Sequence, residues 1–122
     1  MAWKFRSGLS LTVQIVDKIR SDILKGEYKM GAQFPTVRQL AYDAGVNPNT
    51  MQKALILLES EGLIITNSTV GRTVTDDVDV LSRAKVKAMS SFTQSVIREA
   101  KNMSLDMSEL IRNIEKGWDS CE

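Results

Sequence analysis

Between Pro35 and Leu63 the chain reads PTVRQLAYDAGVNPNTMQKALILLESEGL, two amphipathic helical patterns broken by Gly45 and Pro48. That stretch leaves few folds open. In its first half Val37, Leu40, Ala41 and Ala44 fall at i, i+3, i+4 and i+7, one apolar helical face, and Thr36 stands where an N-cap is wanted. The spacing predicts a helix that stops at Gly45. In the second half Asn47 is a candidate cap, and Pro48 takes the first helical position, where its missing N–H costs nothing. Met51, Ala54, Leu55 and Leu58 then repeat the apolar spacing, and Gly62 supplies a stop. Two short helices joined by a tight glycine-containing turn form a helix-turn-helix.

The second helix turns Asn49, Thr50, Gln52 and Lys53 outward, all able to hydrogen-bond and none acidic. They occupy the first turn and a half, where a recognition helix meets base edges. Next come two β-prone runs, LIIT (Leu63 to Thr66) and RTVT (Arg72 to Thr75), separated by NSTVG. They predict a hairpin, or wing. The plainer alternative is a solvated polar helix face on an ordinary small α/β core. Charge favours nucleic acid modestly. The net charge of +1 divides into +3 for residues 1–75 (nine Lys/Arg, six Asp/Glu) and −2 for residues 76–122 (seven and nine). Positive charge on the helix-turn-helix half has the sign that phosphate neutralisation requires.

The segment from Leu11 to Val74 resembles the winged helix-turn-helix domain of GntR-family bacterial transcription regulators. The resemblance is carried by LTVQIVDKIRSDILKGEYKMGAQFPTVRQLA followed by VNPNTMQKALILLESEGLI. The VNPNT turn and the short tail after the wing look like the YtrA subfamily. The resemblance implies a mainly α fold with a small β-wing: a winged helix-turn-helix domain over residues 1–76 and a short two-helix dimerisation region over residues 77–122. It implies a sequence-specific DNA-binding repressor of a nearby operon, often one for an ABC transporter, acting as a homodimer on an inverted repeat.

The resemblance also assigns residues. Arg38 matches the arginine of the family's PSxRxLA motif, which reaches DNA in related proteins; its plain reading is a surface salt bridge with Asp43 or Glu61. Asn47 is expected both to cap its helix and to touch a phosphate. Asn49, Thr50, Gln52 and Lys53 carry over as groove-facing residues: Asn and Gln suit adenine, Lys suits guanine or phosphate. The wing departs from the family. Where relatives show RRGxGTF, this chain has Asn67, Ser68, Thr69, Val70, Gly71, Arg72 and Thr73. Gly71 reads as a turn residue with positive φ, and Arg72 as the one wing side chain for phosphate.

Around this centre, Ile15, Val16, Ile19 and Ile23 predict a buttressing helix from Leu11 to Lys25, closed by Gly26. Before it, Trp3 and Phe5 read as a short arm packed on that helix or on a partner chain. Tyr28 to Phe34 reads as an extended connector, since Pro35 restrains Phe34. After the acidic linker TDDVD, residues 80–102 carry the stripe Leu81, Ala84, Ala88, Phe92, Val96 and Ala100, widened by Met89 and Ile97. Asp106 opens another helix with Glu109 three residues on, and Met107, Leu110, Ile111, Ile114 and Trp118 form its apolar face. Two such helices are too small to bury both stripes alone, so a second copy of the chain is the expected partner. Met89, Met103 and Met107 suit gap-filling in that dimer core better than a promiscuous ligand groove. Any small-molecule effector would bind between subunits.

The chain has no histidine and one cysteine, Cys121, so no disulfide framework, zinc site or histidine-based catalysis can be assembled. Asp76, Asp77 and Asp79 read as a solvated turn rather than a carboxylate site. No catalytic residue, metal or cofactor is expected. There is no apolar run of transmembrane length, and MAWKFRSG lacks the apolar core of a signal peptide, which predicts a cytoplasmic protein. The expected partner is double-stranded DNA. A rival reading, favoured by the basic-poor wing, is a winged-helix protein-interaction module that does not bind an operator.

Overall fold

The computed structural model describes residues 3–120. Its helices begin on side chains that satisfy the orphan N–H groups of a first turn. Ser10 Oγ accepts from the Val13 N–H (3.3 Å) ahead of α1 (Leu11–Lys25), and Thr36 Oγ1 accepts from Gln39 (3.1 Å) ahead of α2 (Val37–Ala44). Asn47 Oδ1 accepts from Asn49 (2.8 Å) ahead of α3 (Pro48–Ser60). After the hairpin of β1 (Ile64–Asn67) and β2 (Gly71–Val74) come α4 (Val78–Asn102) and α5 (Met107–Gly117), the latter capped by Asp106 Oδ2 on Glu109 (3.3 Å).

The turn inside the helix-turn-helix follows from Gly45. Its φ of 73° lets the chain leave α2 while its N–H and that of Val46 both return to the helix's last carbonyls. A Cβ would resist this conformation. The same closure ends α1 at Gly26 and α3 at Gly62.

The core is assembled from the expected stripes. Ile15, Ile19, Leu40, Met51, Leu55 and Leu58 are at most 2% exposed, and Leu63, Ile64 and Val74 seal the side facing the wing. Each such aliphatic side chain contributes roughly 1.5–3 kcal/mol by leaving water. Trp3 and Phe5 pack against this core from the arm: the Trp3 N–H donates to the Ala44 carbonyl, and Lys18 Nζ sits 5.0 Å above the indole ring.

The hairpin is antiparallel, with Thr66 opposite Arg72 and Asn67 opposite Gly71. The connector, expected to be extended from Tyr28, instead turns at Lys29 to Ala32, where the Ala32 N–H returns to the Lys29 carbonyl (3.1 Å) and Gly31 takes φ 74°. It pairs with β2 all the same: Phe34 N–H donates to the Arg72 carbonyl, Gly31 N–H to Val74, and Val74 N–H to Ala32. This ladder gives the wing a third strand-like edge.

The chain divides into two compact units, the first ending at Ala84. Val80, Leu81 and Ala84 at the start of α4 pack against the winged core, which carries that unit past the expected boundary at residue 76. The linker carboxylates act locally. Asp77 Oδ1 accepts from the N–H groups of Asp79 (2.9 Å) and Val80 (3.4 Å), capping α4. The second unit comprises the remainder of α4 and α5, and none of its described residues is buried. No helix among the described residues is long and apolar enough to cross a membrane. Cys121 lies outside the described residues.

Candidate nucleic-acid interface

Burial of Met51, Ala54, Leu55 and Leu58 fixes the rotation of α3 about its axis. The opposite face therefore presents Asn49 and Lys53, both exposed, with Thr50 and Gln52 half-buried beside them. The start of this face is rigid. Asn47 caps the helix, so its Oδ1 is occupied by the Asn49 N–H, and the Asn47 carbonyl accepts from Thr50 and Met51. On α2, Leu40, Ala41 and Ala44 point inward and leave Arg38 exposed in the first turn.

The cations of this unit differ in how they are engaged. Lys18 pairs with Asp22 at 2.9 Å. Arg20 pairs with Asp17 and Glu61, and Arg72 pairs with Glu59 at 2.6 Å. Lys4, Arg6, Lys25, Lys29, Arg38 and Lys53 form no ion pair among the described residues, and of these only Arg38 and Lys53 lie on the helix-turn-helix. Glu61, one expected partner for Arg38, is held by Arg20 instead, and Asp43 forms no ion pair among the described residues. The helix-turn-helix thus carries two uncommitted cations, Arg38 at the start of α2 and Lys53 on the same helix as the amides of Asn49 and Gln52.

The wing is arranged differently. Gly71 has φ 83° with open space around it, so its requirement is conformational rather than steric. The wing tip, Asn67 to Val70, carries no charge. Arg72, expected to face phosphate, is 21% exposed and directed at Glu59 on the last turn of α3. Glu59 and Thr66 escaped the sequence reading as functional candidates, because the distance between the end of α3 and the hairpin has no local signature. The Glu59 carboxyl is held below its ordinary range, first by the Thr66 hydroxyl and then by Arg72, against the opposing effect of burial.

The dimer-stripe residues fall into two groups. Leu81 and Ala84 are half-buried on the winged core. Phe92 (70% exposed), Met107 (72%) and Trp118 (74%) are open, as are Ala88 and Ile114, while Val96 and Leu110 are intermediate.

Comparison with known proteins agrees with this fold. The model of the gntR family of bacterial regulatory proteins matches residues 11–74. The HTH-type transcriptional repressor YtrA of Bacillus subtilis is 30% identical over 106 residues, spanning 86% of this chain and 82% of YtrA. A GntR family transcriptional regulator from Listeria monocytogenes superposes with a TM-score of 0.85 at 28% identity, over 92% of this chain and 98% of that one. The AraR DNA-binding domain, solved in complex with operator ORX1, matches 59% of this chain and 93% of its own, with a TM-score of 0.52 and 28% identity.

Proposed function

Because the chain belongs to the gntR family of bacterial regulatory proteins, in its YtrA-like group, we propose that it is a repressor that binds an inverted-repeat operator as a homodimer. As a family member it is a DNA-binding transcription regulator with a mostly helical winged fold. The observation that carries the finer reading is the division among its cations. Of the cations on the helix-turn-helix itself, Arg38 and Lys53 stay unpaired, the latter on the helix that carries Asn49 and Gln52, while Lys18, Arg20 and Arg72 outside it are each neutralised by a carboxylate. Unpaired cations and amides on capped helices suit phosphate anchoring combined with base reading. Asn47 and Thr50 complete that surface at the helix start, and Gly71 shapes the adjoining wing.

Dimerisation is supported by the second unit. Its apolar faces around Phe92, Met107, Ile111 and Trp118 are open to water in one chain, and so few residues cannot bury them unaided. A second copy offers identical faces, and a two-fold axis repeats the recognition helix at roughly 34 Å or a multiple of it along DNA. Repression would follow from occupying the operator, and YtrA itself is named a repressor. A small cytosolic effector binding in the intersubunit helical layer would act by changing the spacing of the two recognition helices. Action on chromosomal DNA places the protein in the cytoplasm.

The rival protein-interaction reading draws on the neutral wing tip and the paired Arg72. Gel retardation of the DNA upstream of the protein's own gene, across a salt series, separates the two. The proposed function expects salt-dependent retardation of that duplex and none of a scrambled one. Equal behaviour of both duplexes would remove the operator from the reading.

A further inference from the structure

Thr66 on β1 and Arg72 on β2 are direct cross-strand partners. Both reach the same side chain, Glu59 on the last turn of α3. Thr66 Oγ1 donates to Glu59 Oε2 at 2.6 Å, and Arg72 Nε donates to Glu59 Oε1 at 2.6 Å. One carboxylate thus takes a donor from each strand. The pair is partly shielded, with side-chain exposures of 21% for Arg72 and 27% for Glu59.

The tip is tied independently. Gln33 Nε2 donates to the Val70 carbonyl at 2.9 Å, and Asn67 Oδ1 accepts from the N–H groups of Thr69 (2.9 Å) and Val70 (3.4 Å). The hairpin is therefore anchored at its base to the recognition helix and at its tip to the connector. Residues 67 to 71 supply no cation, and Arg72 already has a counter-charge. Counterion release on DNA requires net positive charge, which a wing so arranged does not offer.

We propose that Glu59, Thr66 and Arg72 form a clasp that sets the wing against the recognition helix, and that Arg72 serves DNA binding as a positioning residue rather than a phosphate anchor. The inference rests on the DNA-binding reading above. The wing then meets DNA through its shape and the hydroxyls of Ser68 and Thr69, placed by the clasp.

The test uses the full-length chain and a duplex that the wild-type protein selects from a random-sequence library. Glu59→Gln, Arg72→Ala, their double variant and Arg38→Ala are compared for affinity across a salt series, and for hydrogen exchange of the hairpin amides at residues 64–74. Thermal unfolding confirms that each variant is folded. The clasp expects Glu59→Gln and Arg72→Ala each to weaken binding by roughly threefold to thirtyfold, with the double variant no worse than the weaker single one. Both should leave the salt slope unchanged and speed exchange of the hairpin, whereas Arg38→Ala should lower the slope by about one. The proposal is overturned if Arg72→Ala lowers the slope as Arg38→Ala does while hairpin exchange is unaltered and Glu59→Gln binds DNA more tightly. Should the wild type select no duplex, the proposed function fails, and exchange alone decides the clasp: faster in both variants sustains it, unchanged overturns it.

Discussion

Arg20 and Glu61 meet through two parallel hydrogen bonds, Nε to Oε1 at 2.9 Å and Nη2 to Oε2 at 2.6 Å, which tie the middle of α1 to the end of α3. A third bond, Nη1 to Asp17 at 2.9 Å, orients the guanidinium from its own helix. The carboxylates keep Arg20 firmly protonated, Glu61 most of all. A bidentate fork of this kind exceeds an ordinary surface pair, yet both side chains retain contact with water. Glu61→Gln is expected to lower unfolding free energy by about 1 kcal/mol in chemical denaturation. Arg20→Lys should fail to restore the loss, because a single ammonium cannot reproduce the fork.

Ser104 adopts φ 55°, the one positive value at a non-glycine residue among those described. It closes α4 with the pattern Gly45 uses for α2: the Ser104 N–H returns to the Lys101 carbonyl at 3.1 Å and the Leu105 N–H to Ala100 at 2.9 Å. A Cβ in this region is strained, although glycine would also gain freedom in the unfolded chain. Ser104→Gly is expected to stabilise the protein by about 0.5 kcal/mol, and Ser104→Val to destabilise it by more than about 1 kcal/mol. Denaturation must be compared at one protein concentration, since the proposed dimer would add its association to the stability.

Much of the helix-turn-helix was legible because its determinants are local. Thr36, Asn47 and Pro48 mark helix starts within a few residues of the groups they satisfy, and the stripe from Met51 to Leu58 identifies the buried face without knowledge of the rest. Legibility fell where a residue answers to something distant. Leu63 reads as strand, but its N–H closes α3 on the Leu58 carbonyl, so β1 starts one residue later. Leu81 and Ala84 belong to a continuous stripe that gives no sign of which core its first turns will join. The partner of Arg72 lies 13 residues away and that of Arg20 lies 41 away, pairings decided only when the helices pack.

The placement of Val80, Leu81 and Ala84 on the winged core bears on dimerisation. Truncation after Ala84 should leave a folded, monomeric winged unit in analytical sedimentation. Truncation after Asp79 removes those side chains, and its unfolding free energy should fall below that of the longer piece by an amount matching their half-buried area, about 1–2 kcal/mol. In the full chain, Phe92→Asp or Ile111→Asp should yield monomer at micromolar concentration. Dimerisation of the fragment ending at Ala84 would place the interface within the winged unit instead.

The clasp has a defined acid limit. Glu59 titrates below its ordinary value of 4.5, held there first by Thr66 and then by Arg72. A carboxyl whose folded pKa is depressed contributes stability that is fully present above its unfolded pKa and is lost as pH falls through the folded one. Hairpin exchange, corrected for intrinsic rates, should therefore stay constant from about pH 5 to 8 and rise only below about pH 4.5. Glu59→Gln should show no such acid step.

Readout and anchoring should separate between α3 and α2. Asn49 is exposed on α3 with Gln52 half-buried beside it, and a side-chain amide so placed can pair bidentately with the adenine edge. Arg38, at the exposed start of α2, suits phosphate, which carries no sequence information. Replacing Gln52 by Ala should cost on the order of 1–3 kcal/mol on the selected duplex and relax preference at one base pair, with little change on random DNA. Arg38→Ala and Lys53→Ala should weaken both duplexes alike and flatten the salt dependence by about one unit each. The deciding comparison is the ratio of specific to random affinity at several salt concentrations. If Gln52→Ala left that ratio intact while Arg38→Ala collapsed it, base reading would reside on α2 and the uncommitted arginine, rather than the amide face of α3, would define the operator.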